Sequence, residues 1–238
     1  VCSSDLVGPV AICDGDDYWT YPLKLQDQAD FLEQNPDYGM VYTDVNSVSA
    51  NGADLMLEED ELFRKLYKGG DIFFPLLHLN FINTCTVLLR SDLVQPFKPL
   101  DDGRHWYVLD HYLWLRVAGV SKIHFMDKIT SCYRIHPSSH TSTTPPPLRR
   151  KISHFSLFDN IMFLDEFRSK DLNEKQVAMV FRKLLYLMYR EESTLYMRWR
   201  ALRLIPKYFP GIRQVVGMLM EKTRTPNHTG SGQSAELA

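Results

Sequence analysis

The sequence predicts an α/β protein with a mainly parallel, three-layer sheet, followed by an all-helical C-terminal segment. In the first part of the chain, short apolar or β-branched runs alternate with segments whose apolar residues recur at helical spacing. Strands that alternate with helices are typical of a parallel sheet covered on both faces. From Leu148 onward the apolar residues recur only at helical spacing, which predicts amphipathic helices.

The predicted elements alternate along the chain up to a Ser/Thr/Pro-rich linker at residues 141–147. Pro22 suits the first turn of a helix, and Asn35-Pro36 ends it. The other predicted elements are strands at 10–12, 38–45, 83–90, 122–126 and 129–135, and helices at 58–66, 71–79 and 106–117.

Four regions follow from these patterns. Residues 1–6 lack an initiator Met and stop abruptly at a strand-like run, so we expect them to be foreign or disordered. Residues 7–143 form the predicted α/β domain, and 144–222 form the helical C-terminal region. Residues 223–238 are polar and Gly/Ser-containing, which predicts a disordered tail.

The composition is typical of a soluble globular protein. Of the 238 residues, 45% are hydrophobic and 24% are charged, and the net charge of -2 argues against a general nucleic-acid binder. The four cysteines are scattered without a CxxC pair, which argues against a zinc site and favours a reducing, cytoplasmic compartment. No apolar run reaches the roughly 18 residues of a membrane-spanning helix.

Residues 13–17, here called the acidic loop, carry three carboxylates directly after the first predicted strand. In an extended backbone Asp14 and Asp16 project to the same side, and Gly15 permits a tight turn between them. Carboxylate oxygens suit Mg²⁺ or Mn²⁺, and Mg²⁺ prefers one or two carboxylates plus substrate phosphates. The loop therefore predicts a divalent-cation site completed by a diphosphate.

Three other interpretations of the acidic loop are weighed against this one. Aspartates are common in turns and at helix N-termini, so the loop is also compatible with turn chemistry alone. An EF-hand loop requires Gly at position six and Glu at position twelve, where counting from Asp14 gives Trp19 and Leu25. A metal-dependent phosphohydrolase would need a second carboxylate or His cluster at helical spacing, and the sequence offers none.

Three polar residues stand at positions where ligands collect or charges are unexpected. Asp44 ends a predicted strand, where ligands of open α/β sheets bind. Asp110 lies within the apolar stripe of its helix, either as an N-cap or as a general base at the mouth of a pocket. His136 follows a strand, where a surface histidine is commoner than a ligand.

Six strings together resemble family 2 glycosyltransferases of the GT-A fold in content and order. The resemblance covers about residues 8–140. The strings are Asp14-Gly15-Asp16-Asp17-Tyr18-Trp19-Thr20, Pro22-Leu23-Lys24-Leu25-Gln26, Tyr42-Thr43-Asp44, Thr84-Cys85-Thr86, Asp110-His111-Tyr112-Leu113-Trp114-Leu115-Arg116 and Tyr133-Arg134-Ile135-His136.

The resemblance implies an enzyme that moves a sugar from a nucleotide diphosphate sugar to an acceptor hydroxyl, usually with inversion. The implied setting is the synthesis of cell-surface polysaccharide or another glycan, with a glycan or lipid-linked acceptor. Asp14 and Asp16 match the DxD pair, with Asp16 the direct ligand of Mg²⁺ or Mn²⁺ and Asp14 nearer the ribose or the metal shell. His136 matches a histidine that approaches the metal and diphosphate.

The remaining implied roles concern the acceptor and the donor sugar. Asp110 matches the catalytic base on the acceptor side, and Asp44 and Thr84 match contacts to donor or acceptor. In this family the nucleotide base is bound by βαβ units that precede the DxD pair, whereas only 13 residues precede Asp14 here. We therefore expect residues 7–143 to be the C-terminal part of an N-terminally truncated GT-A domain with impaired activity.

The alternative to an enzyme is a non-catalytic interaction module with a degenerate α/β remnant. Between residues 182 and 213 eight basic residues face only two acidic ones, interleaved with Trp199 and aliphatic side chains. Such a stretch is compatible with a helix on an anionic membrane surface, here the inner face of the membrane, and is somewhat more typical of the solvated face of a helical hairpin.

Overall fold

The computed structural model describes residues 8–66, 69–94, 109–139, 143–167, 172–191 and 193–209. These residues form two compact units divided between residues 171 and 172. The first unit is α/β and the second is helical, so the predicted α/β class is confirmed. The predicted terminal segments 1–6 and 223–238 lie outside the described residues.

The first unit contains a mixed five-stranded sheet in the order β1-β4-β3-β5-β2. Its strands are β1 (Val10–Ala11), β2 (Tyr18–Trp19), β3 (Tyr38–Ser49), β4 (Leu88–Leu89) and β5 (Lys122–Ile135). The long strands β3 and β5 pair in parallel, and the other three pairings are antiparallel.

The prediction of a mainly parallel sheet was therefore wrong in the described residues. The three antiparallel pairings all involve strands of two residues, β1, β2 and β4. Their partners are far apart in sequence, such as Ala11 with Leu88 and Trp19 with Ser131, so the connecting segments are long enough to permit either direction. Strand-like composition carries no information about that direction.

Eight helices lie in the described ranges, and side-chain caps are seen at the starts of the last two. The helices are α1 (Lys24–Gln34), α2 (Glu58–Leu66), α3 (Phe73–His78), α4 (Ser91–Val94), α5 (Leu109–Val120), α6 (Pro146–Phe167), α7 (Glu174–Tyr189) and α8 (Leu195–Tyr208). The predicted helices at 58–66 and 71–79 are confirmed. The predicted start of α5 at residue 106 lies outside the described residues.

Two further element predictions were wrong. The expected strand at 83–90 is a 3₁₀ turn, Thr84–Thr86, followed by the two-residue β4. Thr86 donates both its backbone N–H and its hydroxyl to the carbonyl of Asn83, which winds these residues instead of extending them. The two strands expected at 122–126 and 129–135 form one continuous strand, β5, whose pairing with β3 contains register shifts.

Strand β3 is buried on both faces and forms the centre of the first unit. Val41 packs with Leu32 of α1, while its neighbour Tyr42 points to the other face and its ring meets that of Phe81. Helix α5 adds Trp114, which is fully buried. Apolar side chains on both faces of β3 thus form the core of the first unit.

Helix α6 packs within the first unit although the sequence assigns it to the helical C-terminal region. Its Phe163 ring lies 4.2 Å from that of Tyr112 in α5. Asn160 Nδ2 donates to the carbonyl of Leu77 in α3. The predicted boundary at residues 143–144 thus precedes a helix whose contacts are with the α/β elements.

The second unit is a hairpin of α7 and α8. Asn173 and Gln176 form a reciprocal capping box at the start of α7, and Thr194 caps α8 through the backbone N–H of Met197. Val180, Leu184 and Leu187 of α7, and Met197, Ala201 and Leu204 of α8, are buried. No helix in the described part of the chain is long and apolar enough to cross a bilayer.

Candidate functional site

The acidic loop joins β1 to β2, the two edge strands of the sheet, and therefore crosses one end of it. Arg134, near the end of β5, holds the loop in place. Its backbone N–H donates to Asp17 Oδ1 at 2.9 Å, and its Nε donates to the carbonyl of Asp16 at 2.9 Å. Its Nη1 also donates to the carbonyls of Ser49 and Ala50, so the loop is fixed to the ends of β5 and β3.

Asp17 anchors the loop from the inside. Burial raises the pKa of its carboxyl group, while hydrogen bonds from Arg134 and the Cys85 thiol favour its ionised form. The carbonyl of Cys85 in turn accepts hydrogen bonds from Trp19 Nε1 at 3.0 Å and Ser131 Oγ at 2.9 Å. Asp17 is therefore engaged by the fold, which leaves Asp14 and Asp16 as the candidate ligands of the acidic loop.

Asp16 and His136 meet directly at the surface. His136 Nε2 lies 2.9 Å from Asp16 Oδ2, and His136 Nδ1 lies 2.9 Å from Ser138 Oγ. The hydrogen bond from His136 is the largest cause that lowers the pKa of Asp16. Both side chains are partly exposed. The pair thus places one carboxylate oxygen and one imidazole nitrogen beside each other at the surface, joined by a hydrogen bond.

Asp14 and Asp110 lie within electrostatic reach of each other. The pKa of Asp14 is raised by burial, then by the negative charges of Asp16 and Asp110. Asp110 stands in the first turn of α5, where its Oδ1 accepts the backbone N–H of His111 at 2.7 Å. Its Oδ2 accepts from Asn80 Nδ2 at 3.2 Å. Asp110 therefore contacts a first-turn N–H, as a capping residue would, and also joins the carboxylate cluster.

Of the six predicted site residues, the structure places Asp16 and His136 in direct contact, and Asp14 within electrostatic range of Asp16 and Asp110. Asp44 is engaged elsewhere, because its Oδ2 pairs with Arg64 Nε at 2.8 Å and its Oδ1 accepts the backbone N–H of Val45. That ion pair gives Asp44 a structural partner.

The sixth predicted residue, Thr84, begins the 3₁₀ turn whose next residue, Cys85, contacts the acidic loop. Thr84 itself uses its carbonyl to accept the backbone N–H of Val87. Thr84 is therefore part of the turn that places Cys85 against the acidic loop.

Two residues at or near the acidic loop, one that holds it and one buried beside the following strand, were not among the predicted site residues. Arg134 lies two positions before His136, within the same Tyr133–His136 string, and that proximity was the available signal. Lys24 is 1% exposed in α1, and its Nζ donates to Gln28 Oε1 at 2.7 Å and lies 5.1 Å from the centre of the Trp19 ring. Its helical spacing from Gln28 and Leu32, both buried, was the signal for Lys24.

Asp14, Asp16 and His136 offer carboxylate oxygens and an imidazole nitrogen, which are donor types that suit Mg²⁺ or Mn²⁺. Within the described ranges, no group of three or more His, Cys, Asp or Glu side chains is arranged to hold a metal. The predicted set of Asp14, Asp16 and His136 is therefore not assembled as a complete protein site. Asp16 Oδ2 and His136 Nε2, 2.9 Å apart, share a hydrogen bond, so a cation that bound both atoms would replace that bond and require a neutral His136.

Comparisons with known proteins give relatives whose function is not described. No protein-family model matches the chain. Proteins described as uncharacterized, from Mycobacterium bovis and from two strains of Mycobacterium tuberculosis, are 33% identical to it over 128 residues. The match covers 53% of this chain and 34% of each relative. The chain thus spans about a third of the length of the curated relatives it matches.

Proposed function

We propose that this chain is part of a family 2 glycosyltransferase of the GT-A type, which transfers a sugar from a nucleotide diphosphate sugar to an acceptor hydroxyl with inversion. The observation that supports the proposal is the contact between Asp16 and His136, which are 120 residues apart in sequence and share a hydrogen bond. Asp14 lies close enough to Asp16 and Asp110 for their charges to raise its pKa, after burial as the larger cause. Partly desolvated carboxylates beside a histidine are typical of functional sites.

Asp16 and His136 are the residues that would hold Mg²⁺ or Mn²⁺ in this proposal. When bound, the cation would offset the negative charge that develops on the diphosphate as it leaves the sugar. Asp14 supports this assignment, because its pKa is raised by burial and then by the charges of Asp16 and Asp110, and a nearby positive charge would favour its ionised form. Two protein ligands leave the remaining coordination positions to phosphate oxygens and water.

Asp110 is the proposed general base. Its two oxygens are held by the backbone N–H of His111 and the amide of Asn80, which fixes the carboxylate plane. Each carboxylate oxygen still has a lone pair available to accept a hydrogen bond from an acceptor hydroxyl. The proton of that hydroxyl would pass to Asp110 as the oxygen attacks the sugar, so no covalent enzyme intermediate is needed.

Arg134 and Asp17 have a positioning role. Their hydrogen bonds fix the acidic loop to the ends of β3 and β5, which keeps Asp16 beside His136. A ligand atom must be held to within about half an ångström for efficient chemistry, so anchors of this kind matter as much as the ligands themselves.

The test is an assay of donor hydrolysis and sugar transfer across a panel of nucleotide sugars, with and without Mn²⁺ or Mg²⁺. We expect cation-dependent turnover, weak in this chain, that falls at least about 100-fold in Asp16→Asn and in Asp110→Asn. Asp127→Asn, on the exposed surface of β5, is the matched control and should retain wild-type turnover. Absence of turnover with every donor and cation, or full activity of Asp16→Asn, would overturn the proposal.

A further inference from the structure

The outer face of α8 carries an exposed apolar stripe. Leu195, Trp199 and Leu202, here called the Trp199 stripe, are 86%, 49% and 50% exposed. They are spaced at i, i+4 and i+7 and therefore lie on one side of the helix. The opposite side packs inward through Met197, Ala201, Leu204 and Ile205, all of which are buried. One face of α8 thus packs against α7, and the Trp199 stripe on the other side is exposed.

The Trp199 stripe lies on a helix whose charged residues are all basic, although Glu191 and Glu192 precede it. The residues from 193 to 209 include no Asp or Glu, and their charged members are Arg198, Arg200, Arg203 and Lys207. The Arg203 guanidinium stacks over the Trp199 ring at 4.5 Å from its centre. On the other side of the stripe, Arg198 Nη2 donates to the carbonyl of Arg190 at the end of α7. Positive charge therefore borders the apolar stripe along the helix.

We propose that this face of α8 docks on an anionic phospholipid bilayer, with the helix lying in the plane of the interface. Leucine side chains would enter the acyl boundary, and the indole of Trp199 suits the region where apolar and polar surroundings meet. Arginine and lysine side chains are long enough to keep their charges among the lipid phosphates while their stems remain at the apolar level. This inference does not depend on the proposed function.

The chemistry of the face favours a lipid surface over other anionic partners. A nucleic acid would satisfy the four positive charges but offers nothing to Leu195, the most exposed member of the stripe. A protein groove would need an acidic rim as well as an apolar floor. A bilayer rich in anionic lipid offers negative charge and an apolar interior along the whole length of the helix, and each Lys or Arg near its surface strengthens binding about fivefold.

Co-sedimentation of the 238-residue chain with lipid vesicles tests the proposal. The probes are vesicles of phosphatidylcholine alone and of phosphatidylcholine with an equal amount of phosphatidylglycerol. We expect binding only to the anionic vesicles, weakened by added salt. Leu195→Ser/Trp199→Ser and, separately, Arg203→Gln/Lys207→Gln should each weaken that binding by about 10-fold or more.

Two control variants distinguish binding through this face of α8 from nonspecific adsorption to vesicles. Met56→Ser removes an equally exposed apolar side chain from the first unit, and Arg150→Gln/Lys151→Gln removes two exposed charges from α6. Both controls should bind anionic vesicles as the wild type does, and circular dichroism should show unchanged helix content in every variant. Equal binding to neutral and anionic vesicles, no binding at all, or loss of binding in the controls alone would overturn the proposal. Binding to a DNA duplex or an acidic protein with no vesicle binding would overturn it too.

Discussion

Arg134 shows how much of the candidate site depends on a residue that touches no proposed substrate. Its backbone and guanidinium groups bind Asp16, Asp17 and the end of β3 through four hydrogen bonds. The fork of the guanidinium reaches several carbonyls at once, which a lysine ammonium on a flexible stem does not reproduce. The position of Asp16 beside His136 therefore depends on an arginine.

Replacement of Arg134 tests this dependence. Arg134→Met should lower the free energy of unfolding by about 2 kcal/mol, because its side-chain bonds to three carbonyls are lost at a partly exposed site. Arg134→Lys should recover less than half of that loss. Urea denaturation measures both values, and full recovery in the lysine variant would show that the guanidinium geometry is unimportant.

The hydrogen bond between His136 and Asp16 makes a separate prediction about titration. The pKa of Asp16 is lowered chiefly by that bond, so it should lie below the ordinary range in the wild type and rise towards it in His136→Ala. Carbon-13 NMR of the Asp16 carboxyl between pH 2 and 6 follows the change. An unchanged Asp16 titration in His136→Ala would indicate that the two side chains do not meet in solution.

Lys24 predicts a pH dependence of stability. Burial lowers the pKa of its ammonium group from 10.5 to about 8, with Cys85 and Cys13 acting in the opposite direction. Between those values the unfolded chain binds more protons than the folded one, so the contribution of Lys24 to stability rises with pH over that window.

Lys24→Met is the variant that isolates this effect. The free energy of unfolding of the wild type relative to Lys24→Met should increase between pH 8 and 10.5 by at most about 3 kcal/mol. Chemical denaturation at several pH values measures that difference, in which the other titrating groups largely cancel. A difference that stays constant or falls over this window would contradict a buried, charged Lys24.

At the scale of elements, α6 completes the first unit by packing against α5. Gly119, near the end of α5, allows this approach because the Phe167 ring of α6 occupies the space beside it. A Cβ at position 119 would lie 2.6 Å from Phe167 Cγ. The close contact, together with the Tyr112–Phe163 ring pair, fixes α6 to the α/β elements.

Gly119→Ala should therefore destabilise the protein, although alanine is the better helix former. We expect a loss of about 1–3 kcal/mol from the clash with Phe167, against a gain of up to about 1 kcal/mol from helix propensity. Phe167→Leu in the same chain should recover part of the loss, because a smaller side chain leaves room for the new methyl group. Thermal denaturation of the wild type and both variants measures these stability differences. A Gly119→Ala variant more stable than the wild type would show that the Phe167 ring does not pack against position 119.

At the scale of the whole molecule, the sequence predicted elements better than their assembly. Helices such as α1 and α2 were predictable because their apolar spacing and end signals are local. The antiparallel pairing of β1, β2 and β4 was not, because each strand has two residues and its direction is set by distant contacts. The 3₁₀ turn at Thr84 was missed because a Thr-rich run also has high strand propensity.

For the candidate site too, the residues could be predicted from local sequence, but their arrangement in the fold could not. The residue types of Asp14, Asp16, Asp110 and His136 could be selected from strings and their order in the chain. Their arrangement depends on an acidic loop that spans the sheet between its two edge strands, which no local pattern encodes. Asp44 was selected by its position at a strand end, but the structure gives it Arg64 as a partner.

The central claim is that Asp16 and His136 together hold a divalent cation for a diphosphate group. Anomalous diffraction from crystals of this chain grown with Mn²⁺ and inorganic pyrophosphate tests it most directly, because pyrophosphate does not require a nucleotide-base site. We predict a manganese ion within about 2 Å of both Asp16 Oδ2 and His136 Nε2, with pyrophosphate oxygens in its remaining positions. Crystals in which Asp16 and His136 keep their direct hydrogen bond and no manganese lies beside them would contradict the claim.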